Sequence, residues 1–315
     1  MNTIPVVDLS QYTEGSEADK NKFVHALGTA YEEVGFVAVV NHGIPQTLIK
    51  KLYEQVEAFF SLTENQKKQY EKIELAGQRG YTSFGREHAK GFDAPDLKEF
   101  FQFGQKIEDG EKVEEFYPDN VFVNELPEFT ATLEQAYRSF EKSGKALLEA
   151  IALFLNLDQD FFAPEIHNGN SILRAIHYPP ITQEPKSSIR AEQHEDINLI
   201  TLLVGASAEG LQVLNKQEEW VNVQSSDDQI VVNVGDMLQR LTNNRLKSTT
   251  HRVVNPPKEK WHTHRYSIPF FLHPKGTMSL ACLPSCISNA HPKQYEDYNA
   301  AQYLDERLRE IGLKK

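Results

Sequence analysis

The stretch QHEDINLIT, residues 193–201, places a histidine and an aspartate one residue apart at the head of an apolar run. The run is typical of a strand, and residues two apart on a strand project from the same face. His194 and Asp196 would therefore point together, while Glu195 points away. Taken alone, this pair is more typical of two ordinary polar residues at a strand entrance than of a metal site.

A third candidate ligand is His251 in STTHRVV, which reads as part of another strand. Two imidazoles and one carboxylate, with other coordination positions open, suit an Fe(II) ion that must bind both substrate and oxygen. The helical zinc motif needs a second histidine four residues after the first. That position is Asn198, so a zinc protease site is excluded.

A second pair of residues two apart lies in HRYSIPFF. Arg265 and Ser267 would present a guanidinium and a hydroxyl on one strand face, and this combination suits a carboxylate. The same pattern also fits an exposed arginine on a sheet edge. Tyr178 in AIHYPP would add a phenolic donor to the same anion, or it would be a core tyrosine with a hydrogen-bonded hydroxyl.

The composition is that of a globular protein, with 315 residues, 40% of them hydrophobic and 25% charged. The net charge is −12, and no cluster of lysine and arginine could follow a phosphate backbone, so nucleic acid is not expected as a partner. MNTIPVVDL lacks the features of a secretory signal, and the longest apolar stretch, ALLEAIALFLNL, is too short to span a bilayer. Two cysteines in a chain of this size indicate a reducing compartment, so we expect a cytoplasmic protein. Because its apolar stretches are short, we do not expect it to bind membranes.

The first half of the chain mixes helical and strand patterns. The spacing predicts a helix over residues 19–34 that stops at Gly35, a strand in GFVAVVNHGI, and a long amphipathic helix over residues 128–157. Residues 75–96 show no regular period and predict a long functional loop. We expect residues 77–93 of this loop, with Tyr81, Phe84 and Arg86, to close over a substrate.

The second half changes character. Seven short apolar or β-branched runs follow one another within about 110 residues, separated by turn signals. With no helix predicted between them, they indicate an antiparallel barrel or sandwich. The pattern becomes helical again over residues 299–311.

The order of these pieces resembles the isopenicillin N synthase-like branch of the Fe(II)- and 2-oxoglutarate-dependent dioxygenases. In the first half, IPVVDL, GFVAVVNHGIP, RGYTSFG and DLKEFFQFG are similar to the N-terminal region of that family. In the second half, LRAIHYPP, HEDINLITLL, the run from Val231 to Val254 and RYSIPFF match its catalytic core nearly piece for piece.

The resemblance implies a role for each candidate residue. His194, Asp196 and His251 would be the iron ligands, and Arg265 and Ser267 would hold the distal carboxylate of 2-oxoglutarate with the help of Tyr178. Phe271 would contact the organic substrate.

The implied fold is a double-stranded β-helix, a jelly-roll core of mixed α and β character flanked by N- and C-terminal helices. Its segments would be an N-terminal region at 1–120, a connecting helix at 121–165, the core at 166–280 and a helical tail at 281–315.

The implied reaction couples oxidative decarboxylation of 2-oxoglutarate, with O2, to hydroxylation, desaturation or ring closure of a small organic metabolite. Ascorbate would act as a reductant, and the protein would be a monomer or a weak homodimer. Two alternatives remain open: an iron oxidase of the same fold that does not use 2-oxoglutarate, and a metal-binding jelly-roll protein without activity.

The chain departs from the family pattern at three places, one of which is Glu195, where plant members often have a threonine. Ile176 stands where several plant members have an asparagine that contributes to the cosubstrate pocket, and KEKWHTH makes the segment between His251 and Arg265 longer than usual. His262 and His264 also form a pair two apart, which fits an exposed hairpin tip better than a second metal site.

Overall fold

The computed structural model describes residues 4–92, 94–108, 110–111, 113, 117–185, 187–205, 209–223 and 226–314. The α-helices in these residues are α1 (Ser10–Thr13), α2 (Glu17–Glu33), α3 (Gln46–Phe60), α4 (Glu64–Lys68), α5 (Pro127–Phe154), α6 (Ala163–Ile166), α7 (Asp236–Leu241) and α8 (Ala300–Glu310). Short 3-10 helices lie at Ile73–Leu75, Lys258–Lys260 and Pro284–Cys286.

The starts of α2 and α8 are set by capping boxes, in which two side chains satisfy otherwise unpaired backbone N–H groups. Ser16 and Asp19 form the box of α2, and Asn299 and Gln302 form that of α8. Helix α2 ends before Gly35, whose φ of 75° is in the left-handed region that glycine tolerates. The helices predicted at 19–34, 128–157 and 299–311 are therefore confirmed, with ends shifted by a few residues.

The strands are β1 (Val6–Asp8), β2 (Phe36–Val40), β3 (Gly80–Thr82), β4 (Glu99–Gly104), β5 (Ile172–Tyr178), β6 (Ala191–His194), β7 (Ile200–Val204), β8 (Leu211–Leu214), β9 (Trp220–Asn222), β10 (Ile230–Val234), β11 (His251–Val253) and β12 (Arg265–Leu272). A major sheet has the order β1-β2-β10-β7-β12-β5-β4-β3, and a minor sheet has the order β6-β11-β8-β9. All pairs are antiparallel except β1 with β2.

A cavity lies between the two sheets. Ala191, His194 and Val253 line it from the minor sheet, and residues of β4, β5, β7 and β12 line it from the major sheet. This two-sheet arrangement is the predicted double-stranded β-helix. Because β2 pairs with β10, and β4 pairs with β5, the strands of the first half extend the same major sheet.

Helix α5 covers the outer face of the major sheet and separates it from solvent. Phe270 on β12 packs against Tyr137 and Phe140 of α5, with ring centroids 5.0 and 5.6 Å apart. Residues of β12 therefore alternate between this apolar layer and the cavity, which Arg265 and Ser267 line. None of the helices in the described part of the chain combines the length and apolar character needed to cross a membrane.

Two local predictions are wrong. Helix α7 interrupts the run of strands, because Met237, Leu238 and Leu241 follow helical spacing and are buried. The segment predicted as an unbroken loop over residues 75–96 contains β3, which pairs with β4. Strand β3 is only three residues long, too short to show a period.

Candidate active site

Three side chains converge at one end of the cavity. His194 ends β6, His251 begins β11, and the two residues face each other in antiparallel register. Oδ1 of Asp196 lies 3.9 Å from Nε2 of His194 and 3.8 Å from Nε2 of His251. Among the residues that the structure describes, this is the one group of three such side chains close enough to hold a metal ion, with ligand atoms within 4.8 Å of one another.

Asp196 lies just outside the regular strands on either side of it. Strand β6 ends at His194, and Asp196 lies in the turn that leads to β7. The chain bends only at residues 197–199, so both side chains come before the bend. Glu195 accepts a hydrogen bond from Thr250 at 3.1 Å.

Both imidazoles are oriented by the main chain. Nδ1 of His194 lies 2.6 Å from the carbonyl oxygen of Glu192, and Nδ1 of His251 lies 3.1 Å from that of Thr249. A carbonyl oxygen only accepts, so each Nδ1–H donates to its carbonyl, and each Nε2 is the ring nitrogen on the side of Asp196. Burial, followed by the charge of His251, lowers the pKa of His194 to about 4, so its ring is neutral at pH 7.

The carboxylate is oriented by neighbouring side chains. Oδ2 of Asp196 accepts hydrogen bonds from Thr201 at 2.6 Å and from Asn233 at 2.8 Å, which leaves Oδ1 for the imidazoles. Burial by itself would raise the pKa of Asp196. The two imidazoles and these hydrogen bonds outweigh burial and bring that pKa below its usual value.

The donor set fits Fe(II). Two imidazole nitrogens and one carboxylate oxygen can occupy one side of a metal and leave the other positions open. Hydrogen bonds that orient the ligand side chains, as seen here for all three residues, are typical of protein metal sites. A site closed by four protein ligands would leave no position for a reactant.

A buried arginine lies elsewhere in the same cavity, which has a volume of about 170 Å³. Arg265 is 1% exposed, and Ser267 and Tyr178 are also buried. Arg265 pairs with Tyr178 across β12 and β5, and its guanidinium carbon is 4.9 Å from the centroid of the tyrosine ring. Ile176 lies opposite Ser267, so an apolar side chain occupies the position that the family resemblance marked as a departure.

The cavity also holds a cluster of buried charges that the sequence did not predict. Lys98 forms ion pairs with Glu87 at 2.6 Å and with Asp96 at 2.7 Å. Arg174 pairs with Glu87 at 3.1 Å and donates to Gln102 at 2.7 Å. Burial would raise the pKa of Glu87, but Arg174 and Lys98 outweigh it and lower that pKa to about 2. The cluster therefore holds two cations and two anions.

Arg174 lies between two aromatic rings. Its guanidinium carbon lies 4.2 Å from the ring centroid of Phe100 and 5.2 Å from that of Phe271, and all three residues are on neighbouring strands. Phe271 also lines the cavity. A signal was present in ILRAIHY and DLKEFFQFG, where Arg174, Lys98 and Gln102 are polar residues at alternating positions of apolar strands.

The three other residues expected to contact a substrate do not line this cavity. Tyr81 packs against Phe59 on the far side of the sheet, where its hydroxyl donates to Glu99. Phe84 is 49% exposed, and Arg86 forms an ion pair with Glu71 at 3.1 Å. The segment reaches the cavity through other residues, namely Gln78, Glu87, His88 and Ala89. Asp93, the last residue of the expected lid, lies outside the described residues.

Helix α8 forms another side of the cavity, a role that the sequence did not indicate. Leu304 and Leu308 of α8 line it, together with Ile311 just beyond the helix. The helix is joined to the segment after β3: the N–H of His88 donates to the carbonyl of Ile311 at 3.5 Å, and Lys90 pairs with Glu310 at 3.0 Å. Two segments distant in sequence thus cover the cavity together.

The remaining histidines of interest lie outside the triad. His264 bonds through Nδ1 to Nε2 of buried His177 at 2.8 Å, and His177 bonds to Glu99 at 2.7 Å. His262 and His264 are both exposed. His273 is buried and lines the cavity, and burial lowers its pKa to about 4.

Comparison with known families matches two segments of the chain. Residues 4–125 match the non-haem dioxygenase in morphine synthesis N-terminal family, and residues 169–274 match the 2OG-Fe(II) oxygenase superfamily. The proline hydroxylase buaE of Petromyces alliaceus is 33% identical over 96% of this chain and 97% of its own length.

Solved structures agree with this assignment. A 2OG-Fe(II) oxygenase family protein from Caulobacter crescentus is 40% identical, with a TM-score of 0.87 over 99% of this chain and 100% of its own. A Neurospora crassa protein crystallised with α-KG and thymine is 29% identical, with a TM-score of 0.85 over 97% of this chain and 96% of its own. The triad, the buried arginine and these similarities lead to one conclusion: the chain belongs to the 2OG-Fe(II) oxygenase superfamily and is an Fe(II)- and 2-oxoglutarate-dependent dioxygenase.

Proposed function

We propose that His194, Asp196 and His251 ligate Fe(II) and that Arg265 and Ser267, assisted by Tyr178, bind the distal carboxylate of 2-oxoglutarate. The observation that carries this proposal is the presence of a two-histidine, one-carboxylate group and a buried Arg265 in one cavity. The bound iron supplies the activation of O2 that couples decarboxylation of 2-oxoglutarate to oxidation of a substrate C–H bond.

Each protein group has a defined task in this proposal. Thr201 and Asn233 keep Oδ1 of Asp196 directed at the metal, and the two main-chain carbonyls keep the imidazoles in the tautomer that binds it. The guanidinium of Arg265 offers a planar set of donors that fits a carboxylate. Holding both ends of 2-oxoglutarate orients it before reaction.

The substrate is proposed to be a small polar metabolite that contacts Arg174 and Phe271. Both residues line the cavity, and the four-charge cluster around Arg174 has no net charge, so the cavity does not require a charged substrate. The relatives include a proline hydroxylase and a protein crystallised with thymine. Proline and thymine are both small polar molecules. Hydroxylation is the proposed outcome, with desaturation or ring closure as the other products of the same chemistry.

The segment from Gly77 to Phe92 and helix α8 are proposed to act as a cover that excludes water during turnover. Support comes from the lining residues that both contribute and from the contacts between His88 and Ile311 and between Lys90 and Glu310. Leu304, Leu308 and Ile311 make this side of the cavity apolar.

The finer assignments follow from the sequence. We propose that the protein belongs to the isopenicillin N synthase-like branch and works in the cytoplasm as a monomer or weak homodimer, with ascorbate keeping the iron reduced. The free thiols of Cys282 and Cys286 fit a reducing compartment.

A screen of metabolites for stimulated oxygen uptake, with and without 2-oxoglutarate, tests the proposed function. Succinate formed in a one-to-one ratio with a product that gains one oxygen supports it. Oxygen uptake that is independent of 2-oxoglutarate would instead identify an iron oxidase of the same fold. A His194→Ala protein with unchanged turnover would contradict the assigned iron ligands.

A further inference from the structure

Two buried arginines lie beside the same tyrosine. The guanidinium carbons of Arg265 and Arg190 are 4.9 and 5.8 Å from the ring centroid of Tyr178. Each arginine is 1% exposed. Arg190 immediately precedes β6, so it reaches this position from the minor sheet, whereas Arg265 belongs to the major sheet.

No carboxylate among the described residues balances the charge of Arg190. In the part of the chain that the structure describes, Arg190 forms no ion pair, and its Nε has no hydrogen-bond partner. Its Nη2 makes a long contact of 3.4 Å with the carbonyl of Thr263. Burial, and then the nearby charge of Arg265, lower the pKa of Arg190 to about 10, so it remains a cation at pH 7.

Such an arrangement is unfavourable unless an anion accompanies it. A buried cation loses its hydration, and a second cation nearby adds repulsion. Packing alone does not require a guanidinium here, since an uncharged side chain would avoid both penalties. The nearest negative group that the reaction introduces is the distal carboxylate of 2-oxoglutarate at Arg265.

We propose that Arg190 is a second cationic residue of the cosubstrate site and acts as a positioning residue beside Tyr178. This inference rests on the proposed role of Arg265. Arg190 lines a neighbouring cavity and not the main one, so its effect on the carboxylate is electrostatic. Its consequence is selectivity: Arg190 favours 2-oxo acids that carry a second carboxylate over those that end in a methyl group.

The test compares two ligands that bind iron in the same way. 2-Oxoglutarate and 2-oxopentanoate have the same five-carbon chain, but the second has no distal charge. Their dissociation constants are measured without oxygen, from the weak visible charge-transfer band that each 2-oxo acid forms with bound Fe(II). This readout reports binding and does not require turnover.

Two substitutions separate charge from packing. Arg190→Gln keeps an N–H donor for the carbonyl of Thr263 but removes the charge, and Arg190→Lys keeps the charge. We expect Arg190→Gln to weaken 2-oxoglutarate binding about tenfold or more and to leave 2-oxopentanoate binding within about twofold. Arg190→Lys should retain most of the preference for 2-oxoglutarate.

Lys260→Met is the matched control, because Lys260 lines the same neighbouring cavity but is exposed, where solvent and salt screen its charge. It should not alter the preference. Equal weakening of both ligands in Arg190→Gln would show a structural role and overturn the inference, as would unchanged binding of both. If the wild-type protein bound 2-oxopentanoate as tightly as 2-oxoglutarate, the proposed role of Arg265 would fail first, and the inference with it.

Discussion

Asn233 donates a hydrogen bond of 2.8 Å to Oδ2 of Asp196, although Asn233 is on β10 and Asp196 lies in the turn after β6. Together with Thr201, it leaves only Oδ1 of the carboxylate available to a metal. The geometry of the iron site therefore depends on a residue outside the ligand set.

Replacing Asn233 with leucine should lower the affinity for Fe(II) by about 10- to 100-fold, because the carboxylate loses one of the two groups that orient it. Equilibrium titration of the iron-free protein with Fe(II) in the absence of oxygen measures this change. Asn222→Leu is the control, since Asn222 is exposed on β9. Equal iron affinity in the Asn233 and Asn222 variants would contradict the role of the hydrogen bond.

Asp196→Ala should abolish coupled turnover, whereas Glu195→Ala should leave iron binding nearly intact. Asp196 contributes the only carboxylate of the triad, while Glu195 accepts a hydrogen bond from the hydroxyl of Thr250. Iron content after dialysis and succinate formation distinguish the two variants. Loss of iron from the Glu195 variant would indicate that this carboxylate also takes part in the site.

Arg174→Met should raise the KM for the organic substrate about tenfold or more and leave the KM for 2-oxoglutarate within about twofold, because a lost charge-assisted hydrogen bond costs roughly 1.5–3 kcal/mol. The two constants are measured on the same preparation once a substrate is known. Arg245→Met is a suitable control, since Arg245 also lies over an aromatic ring and pairs with a carboxylate, Glu32. A parallel rise in both KM values would mean that Arg174 supports the whole cavity and does not recognise substrate.

Leu308→Asn should increase uncoupled turnover, in which 2-oxoglutarate is consumed without substrate oxidation. The substitution places a polar group in the apolar side of the cover and admits water to the cavity. The ratio of succinate to oxidised product should rise above one, and Leu153→Asn, on the exposed side of α5, should leave it unchanged. An unaltered ratio in the Leu308 variant would argue against a cover formed by α8.

His273 should make the iron-free protein less stable in mild acid. Its pKa is lowered from 6.5 to about 4, so the unfolded chain takes up a proton at a higher pH than the folded protein. Above pH 6.5 the ring is neutral in both states and the free energy of unfolding is unaffected. As the pH falls from 6.5 toward 4, protonation of the unfolded chain lowers the free energy of unfolding. Urea unfolding of the wild type and of His273→Asn should differ in this interval by a change of about 3 kcal/mol. Parallel stability curves would exclude His273 as the source.

The chemistry of the site was predictable from residue types and local periods. Two histidines and one aspartate are a ligand set in any fold that brings them together, and the order in which they occur resembles one family. Arg265 and Ser267 are two residues apart on β12. Side chains alternate between the two faces of a strand, so the strand period places both on the same face. The amphipathic pattern of α5 similarly indicated a helix that covers the sheet.

The surroundings of the site were decided by the tertiary structure. Strands β3 and β4 are buried on both faces, so their sequence carries no sign of which face meets the cavity, and Tyr81 lies on the opposite side from Lys98. Glu87, Arg174 and helix α8 come together from segments far apart in sequence. Because such contacts form only when the sheets close and the chain ends pack over them, no local period records them, and the sequence alone could not identify the groups that surround a substrate.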